Sequence, residues 1–284
     1  MKAKAGFAII TLQCYAGSEL KMMNNAKETQ AIETIREEMK GLPGHTGFYY
    51  KNLVTGYEAG VRADEAFLAA SVIKLPLFLH ILGEAFLGRM SLDEKIMVAE
   101  EDKVPICGAL TLFSGPVEVD VQTLCRLMIS ISDNTATNVL IRRMNIGGTA
   151  QAFRAMGLEK TRLTRAMFDS EASRAGLQNY ICPREMGALL EKLYHGTFVS
   201  PQVCKEALEV LHLQQVDHKL NGKICGAVPV AHKTGEDDGL SNDVGIVYAK
   251  QPFVMCFAGH DTDVYAWEDI MRRGTWALYQ AQEG

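Results

Sequence analysis

Strand-like sequence sits near both ends of this chain with a long helical stretch between, and that order restricts the folds open to it. Thr46 to Leu53 is rich in aromatics, Thr55-Gly56 makes a turn and Tyr57 to Arg62 returns, a pattern that predicts a hairpin. After residue 220 come three more runs, Ala227 to Thr234, Asp243 to Ala249 and Phe253 to Ala258. They are divided by turn-rich Gly235 to Asn242 and by Gln251-Pro252. Strands this far apart in the chain share a core only if both ends build one sheet, which makes the helical stretch an insertion.

The helices follow from their 3.6-residue periodicity and from their stops. Ala26 to Leu42 repeats Ile32, Ile35 and Met39 on one face and ends at Pro43-Gly44. Between Ser71 and about His212 the spacing predicts helices over Val72 to Phe86, Val121 to Ile131 and Thr135 to Met144, the last stopped by Gly147-Gly148. Pro183 and the Ser200-Pro201 pair open two more, with proline in the first turn, where its missing N–H does least harm. Val264 to Ala281 is the last helix. The expected fold is α+β, a five-stranded antiparallel sheet with the terminal helices on one face and an inserted all-α domain. The expected boundaries are a leader at 1–25, a discontinuous sheet domain at 26–66 and 213–284, and an all-α domain at 67–212, with a cleft between the two domains.

Composition excludes several classes of function. The 284 residues carry 29 Lys+Arg against 34 Asp+Glu, a formal net charge of −5, with 48% hydrophobic and 22% charged residues. Such a hydrophobic share supports a packed core, and the mild acidity argues against nucleic acid. No apolar run approaches the ~20 residues of a membrane span. Lys2 and Lys4 before apolar Ala5 to Cys14, followed by Ala16-Gly17, outline an export signal, whereas Met22-Met23 offers an untidy leader on a cytoplasmic protein. The cysteines lean toward the cytoplasm, because Cys125 and Cys256 sit in apolar patterns and no CxxC pair occurs. His212, Asp217 and His218 lack metal-site spacing, and no P-loop or dinucleotide fingerprint is present, so neither metal nor cofactor is expected. The expected partner is a small-molecule substrate and the expected state a monomer.

Three polar motifs carry chemistry. Ser71-Val72-Ile73-Lys74 opens an apolar helix, unlike a second Ser-x-x-Lys at Ser18 to Lys21, which has neither helix nor partner. A spacing of three puts Ser71 and Lys74 on one face. A lysine desolvated there loses its proton below the usual ~10.4 and becomes able to take the proton of Ser71. Free N–H groups at the helix start suit a developing oxyanion. Ser132-Asp133-Asn134 lies between two helices, where these residue types also serve as caps. Lys233-Thr234-Gly235 ends a strand and runs into Glu236.

In this order and these settings the three motifs resemble the serine β-lactamases of class A and the wider group of penicillin-recognising serine enzymes. The resemblance runs from about Thr46 to the C-terminus. It implies that Ser71 is a nucleophile that becomes acylated, that Lys74 is its base or part of the proton network, and that Ser132 relays a proton to the leaving nitrogen. It further implies that Asn134 binds the substrate's side-chain amide and that Lys233 and Thr234 bind its carboxylate, with Gly235 letting the strand approach. The backbone N–H groups of Ser71 and Glu236 would form the oxyanion hole. The implied activity is opening of β-lactam amides through a Ser71 acyl-enzyme, followed by hydrolysis.

The pattern departs from class A in two places. Class A members carry a glutamate two residues after an arginine in a long loop, and here Arg165 is followed by Met167 at that place; the loop's closing aspartate appears as Asn179. Asp169 and Glu171 are the nearby carboxylates, and Asp169 is the candidate for activating the deacylating water. If neither reaches, acylation outpaces hydrolysis and the alternative is a penicillin-binding D-alanyl peptidase or esterase, or an acylable binding protein. The acidic run Glu236-Asp237-Asp238 weakens the field of Lys233. It reads either as a solvated turn or as a preference for substrates neutral or positive at that edge.

Overall fold

The computed structural model describes residues 26–104 and 106–283; the leader and the export-signal reading lie outside the described residues. Nine strands and nine helices are found among them. Helix α1 spans residues 26–39. The main sheet contains β1 (His45–Asn52), β2 (Glu58–Val61), β7 (Val230–Asp237), β8 (Leu240–Val247) and β9 (Phe253–His260), in the order β2-β1-β9-β8-β7 with every pair antiparallel. Strand β1 pairs with β9 along its whole length, His45 with His260 through Asn52 with Phe253, so a strand from before the helical stretch meets one from after it in the sheet centre.

Successive strand residues point to opposite faces, and here both faces are covered. Phe48 and Phe257 join Ile32, Ile35 and Met39 of α1 and Trp267 of α9 (Val264–Glu283) in one core. Tyr49, Val244 and Val254 face the helical region in the other. A buried polar cluster ties the first core together. Glu28 accepts hydrogen bonds from Tyr50 Oη at 2.5 Å, Asn52 Nδ2 at 3.0 Å and Gln282 Nε2 at 3.0 Å, joining α1, β1 and α9.

Between β2 and β7 lie α2 (Lys74–Phe86), α3 (Val121–Ser130), α4 (Asn134–Met144), α5 (Ile146–Ala155), α6 (Ser170–Arg174), α7 (Pro183–Tyr194) and α8 (Pro201–Leu211). Two short ribbons accompany them, β3 (Phe67–Leu68) with β6 (Tyr180–Ile181) and β4 (Lys95–Val98) with β5 (Val117–Asp120), so the insertion is not helical throughout. The Gly147-Gly148 pair, read as a helix stop, lies inside α5. Asn145 adopts φ 57° and its side chain accepts from both glycine N–H groups, turning a stop into a cap. The expected Gly235 to Asn242 turn is a tight hairpin instead. Asp237 pairs with Leu240, leaving Asp238-Gly239 as a two-residue loop in which Gly239 supplies φ 63°.

Candidate active site

Ser71 sits in a 3-10 turn, Ala70–Ile73, which feeds into α2, rather than in the α-helix itself. Residues i and i+3 eclipse in that geometry, so Ser71 and Lys74 still share a side. Edge strand β7 presses against this turn at Gly235. A Cβ there would stand 3.0 Å from the Ala69 carbonyl oxygen and from Val72 N, and 3.1 Å from Ser71 N. Glycine is what allows the Lys233-Thr234-Gly235 strand to approach the serine so closely.

Ser132-Asp133-Asn134 divides its labour. Asp133 is structural: one carboxylate oxygen caps α4 by accepting from Ala136 N at 2.9 Å, and the other accepts from Ala109 N at 2.7 Å and Leu110 N at 3.0 Å. Ser132, at φ 57°, and Asn134 turn toward Lys74. Lys74 Nζ donates to the Ser132 carbonyl at 2.8 Å, to Ser132 Oγ at 3.0 Å and to Asn134 Oδ1 at 2.7 Å. Lys233 Nζ reaches the same Ser132 hydroxyl at 3.3 Å and the Thr234 carbonyl at 2.8 Å. One hydroxyl thus bridges two buried lysines.

Burial, reinforced by the charge of Lys233, drives the pKa of Lys74 well below the ordinary lysine value. Burial also lowers Lys233, to about 7, against the opposing pull of Asp243; Lys219 adds to the lowering. Asp243 is buried too, and His232 Nδ1 lies 2.9 Å from its Oδ1, holding its carboxyl below the usual range against the cost of desolvation.

Ser71, Asn134, Asp169 and Glu236 line one crevice of about 540 Å³, together with Cys107 and Met167. Lys74, Ser132, Lys233 and Thr234 are buried. Among the described residues the Ser71 hydroxyl makes no hydrogen bond, and Lys74 Nζ is spent on Ser132 and Asn134. Asp169 has one oxygen committed, since its Oδ1 accepts from Ala172 N at 2.9 Å to cap α6. The loop holding it is closed by a neutral amide. Asn179 accepts from Thr164 N at 2.8 Å and Arg165 N at 3.1 Å and donates to the Arg165 carbonyl at 3.0 Å, while the Arg165 guanidinium turns to Gln178 Oε1. Asn138 holds the backbone of Met167 from both sides, accepting from its N–H at 2.8 Å and donating to its carbonyl at 2.9 Å.

The sequence motifs did not single out Lys219. It is fully buried behind β7, with Nζ 2.9 Å from Glu236 Oε1 and 3.4 Å from the Gly235 carbonyl oxygen, so it offsets one charge of the acidic run beside Lys233. A lone lysine in a loop carries no motif, and its partners become visible only once β7 and β8 pair. His218 Nε2 lies 3.8 Å from Glu236 Oε1 and 3.3 Å from Glu268 Oε2, but the Lys219 ammonium already supplies positive charge between those carboxylates. His212 packs at a tilt against Tyr248 and Asp217 accepts from Asn221, so neither joins that group.

The profile of the Beta-lactamase enzyme family matches residues 29–281. A β-lactamase of Rhodobacter capsulatus is 28% identical over 239 residues, covering 81% of this chain and 80% of the relative. The crystal structure of a β-lactamase from Sphaerobacter thermophilus superposes with a TM-score of 0.80 at 25% identity, covering 90% of this chain and 97% of that one. A variant of PBP-A, solved as an acyl-enzyme complex with penicillin G, superposes with a TM-score of 0.79 at 26% identity, over 90% and 96% of the two chains. No helix among the described residues is long and apolar enough to cross a membrane. With its profile matched from α1 into α9, over a fold shared across 90% of its length with a solved β-lactamase, this chain belongs to the β-lactamase enzyme family.

Proposed function

We propose that this β-lactamase-type hydrolase opens β-lactam amides through an acyl-enzyme on Ser71. The observation that carries the reading is the buried Lys74–Ser132–Lys233 chain, two lysines on one hydroxyl, beside a crevice that exposes Ser71. Ser71 Oγ attacks the lactam carbonyl carbon and its proton passes to neutral Lys74. The negative charge gathers on the former carbonyl oxygen, held by the N–H groups of Ser71 and Glu236; one such donor contributes ~2.7–4 kcal/mol in acyl-transfer enzymes. The C–N bond then breaks, and the nitrogen takes the proton of Ser132, which Lys74 replaces. Asn134 binds the side-chain amide, and Lys233 and Thr234 bind the carboxylate with Gly235 giving the strand access.

Hydrolysis of the ester needs a base for water. Asp169 is the loop carboxylate that lines the crevice, and the oxygen not used in capping is the one free to hold that water. A second reading rests on Met167, whose thioether side chain stands where the related enzymes place a carboxylate. Under it the protein acylates and releases slowly, as a penicillin-binding peptidase, esterase or acyl-sensor does. Support for this reading comes from PBP-A, whose variant was captured with penicillin G as an acyl-enzyme. Absorbance of a chromogenic cephalosporin followed beside intact mass separates the two. Continuous turnover lost in Ser71→Ala and Lys74→Ala supports the hydrolase; one equivalent of stable adduct without turnover supports slow release; neither adduct nor turnover refutes both.

A further inference from the structure

A second cavity lies apart from the crevice at Ser71. A space of about 750 Å³ opens between α2, α5 and the turn from α7 to α8, and it shares no residue with that crevice. This volume falls within the ~300–1,000 Å³ range of small-molecule sites. Its walls are apolar in part, with Leu79, Ala152 and Phe198 beside three methionines, Met90, Met144 and Met156. Methionine adapts its shape at low cost and recurs where surfaces accept flexible apolar ligands. At the lip, Leu87 and Val199 are about half exposed. Val199 also holds φ 56°, a conformation rare for a β-branched residue and concentrated at ligand-binding segments.

The polar groups of this cavity are unequal. Arg89 is paired with Glu84 at 2.9 Å, and Arg143 donates twice to Glu94 at 2.9 Å. Lys192 differs: its Nζ donates to the Met156 carbonyl at 3.1 Å, and among the described residues no carboxylate lies within ion-pair distance. His80 is half-buried and its ring makes no hydrogen bond among the described residues. Burial lowers its pKa below the usual imidazole value, which leaves a neutral ring with one donor and one acceptor. A partly apolar chamber with one uncompensated cation at its rim is complementary to an amphiphile bearing a single negative charge.

We propose that this cavity is a second ligand site, distinct from Ser71, that takes a medium-chain carboxylate with its chain among the three methionines and its head group at Lys192. Helix α2 begins at Lys74 and lines this cavity with its later turns, so such a ligand bears on the helix of the catalytic lysine without touching the crevice.

Calorimetric titration of the whole protein with sodium decanoate, decyl glucoside and decyltrimethylammonium, each below its micellar concentration, tests this. The expected result is saturable binding of one equivalent of decanoate, tighter than either of the others. Lys192→Met should weaken decanoate by roughly tenfold, the scale of one charge-assisted contact, and leave decyl glucoside unchanged. Ala152→Trp, which fills the chamber, should abolish binding of decanoate. Methionine-methyl NMR on the unaltered protein serves if that variant does not fold, with shifts expected at Met90, Met144 and Met156 and none at Met39 or Met255. No saturable binding, equal affinity for the three head groups, or shifts centred on other methionines would each overturn the proposal.

Discussion

Replacing Met167 by glutamate asks whether a missing carboxylate sets the lifetime of the acyl-enzyme. The residue is suited to the exchange. Its backbone is pinned on both sides by Asn138, at 2.8 Å and 2.9 Å, and its side chain lines the crevice that exposes Ser71. Methionine and glutamate are both unbranched, so the new carboxylate enters without redirecting the loop. A positioned general base contributes ~10²–10⁴-fold, which at ~1.36 kcal/mol per decade is about 2.7–5.4 kcal/mol of barrier. The opposing cost is small. Met167 is only partly buried against the helical core, and its loss is worth about 1 kcal/mol of stability. In the assay, protein is loaded with penicillin, excess drug is removed, and intact mass is followed with time. Under the slow-release reading, Met167→Glu should shed its adduct at least ~100-fold faster than the unaltered protein, with the loading rate little changed because Ser71 and Lys74 are untouched; if Asp169 already serves as the base, the unaltered protein turns over and the exchange gains little. An unchanged adduct lifetime in a folded variant that loads normally would refute the reasoning.

Other outcomes follow from single contacts. Asp133→Ala orphans three backbone N–H groups, on Ala109, Leu110 and Ala136, and should cost at least ~3 kcal/mol in urea denaturation, since each such group is worth ~1–3 kcal/mol; a loss under ~1 kcal/mol would show that water replaces the carboxylate. Gly235→Val drives a side chain into the Ser71 turn at about 3.0 Å and should slow acylation by up to ~100-fold, measured against its melting temperature to separate misplacement from unfolding. With Lys233 titrating at about 7, acylation by an anionic penicillin should fall as pH rises through that value, while a neutral ester shows no such fall. The same group has a stability consequence. The unfolded lysine holds its proton up to ~10.4, so between about 7 and that value the unfolded state binds more protons and stability rises with pH. Lys233→Met should flatten that rise in denaturation curves taken across the window.

Strands β1 and β9 were legible because apolar side chains recur along their whole length, and the order of helices and strands was enough to place both chain ends in one sheet. Strand β8 was harder to bound, because Ser241 and Asn242, just before the expected start at Asp243, look like turn residues. In the structure they are buried polar partners: Asn242 donates to the carbonyls of Leu68 and Ala69 and accepts from Gly259 N, and Asp243 faces His232. Helix α5 was hidden by Gly147-Gly148, whose N–H groups find their acceptor only through the backbone turn at Asn145. The three polar motifs were readable as residue types at a spacing. What they could not reveal was that the Asp133 carboxylate organises the loop at residues 109–110, or that Lys74 in this structure bonds Ser132 and Asn134 rather than the serine one turn before it. Those are facts of packing, set by which groups exclude water together.

The most direct test of an acyl-enzyme on Ser71 is peptide mapping by mass spectrometry after exposure to penicillin G and an acid quench. The expected result is a mass increment equal to the whole drug on the peptide carrying Ser71, lost in Ser71→Ala. An adduct on Cys107 in place of Ser71, or lactam hydrolysis that survives Ser71→Ala, would contradict it.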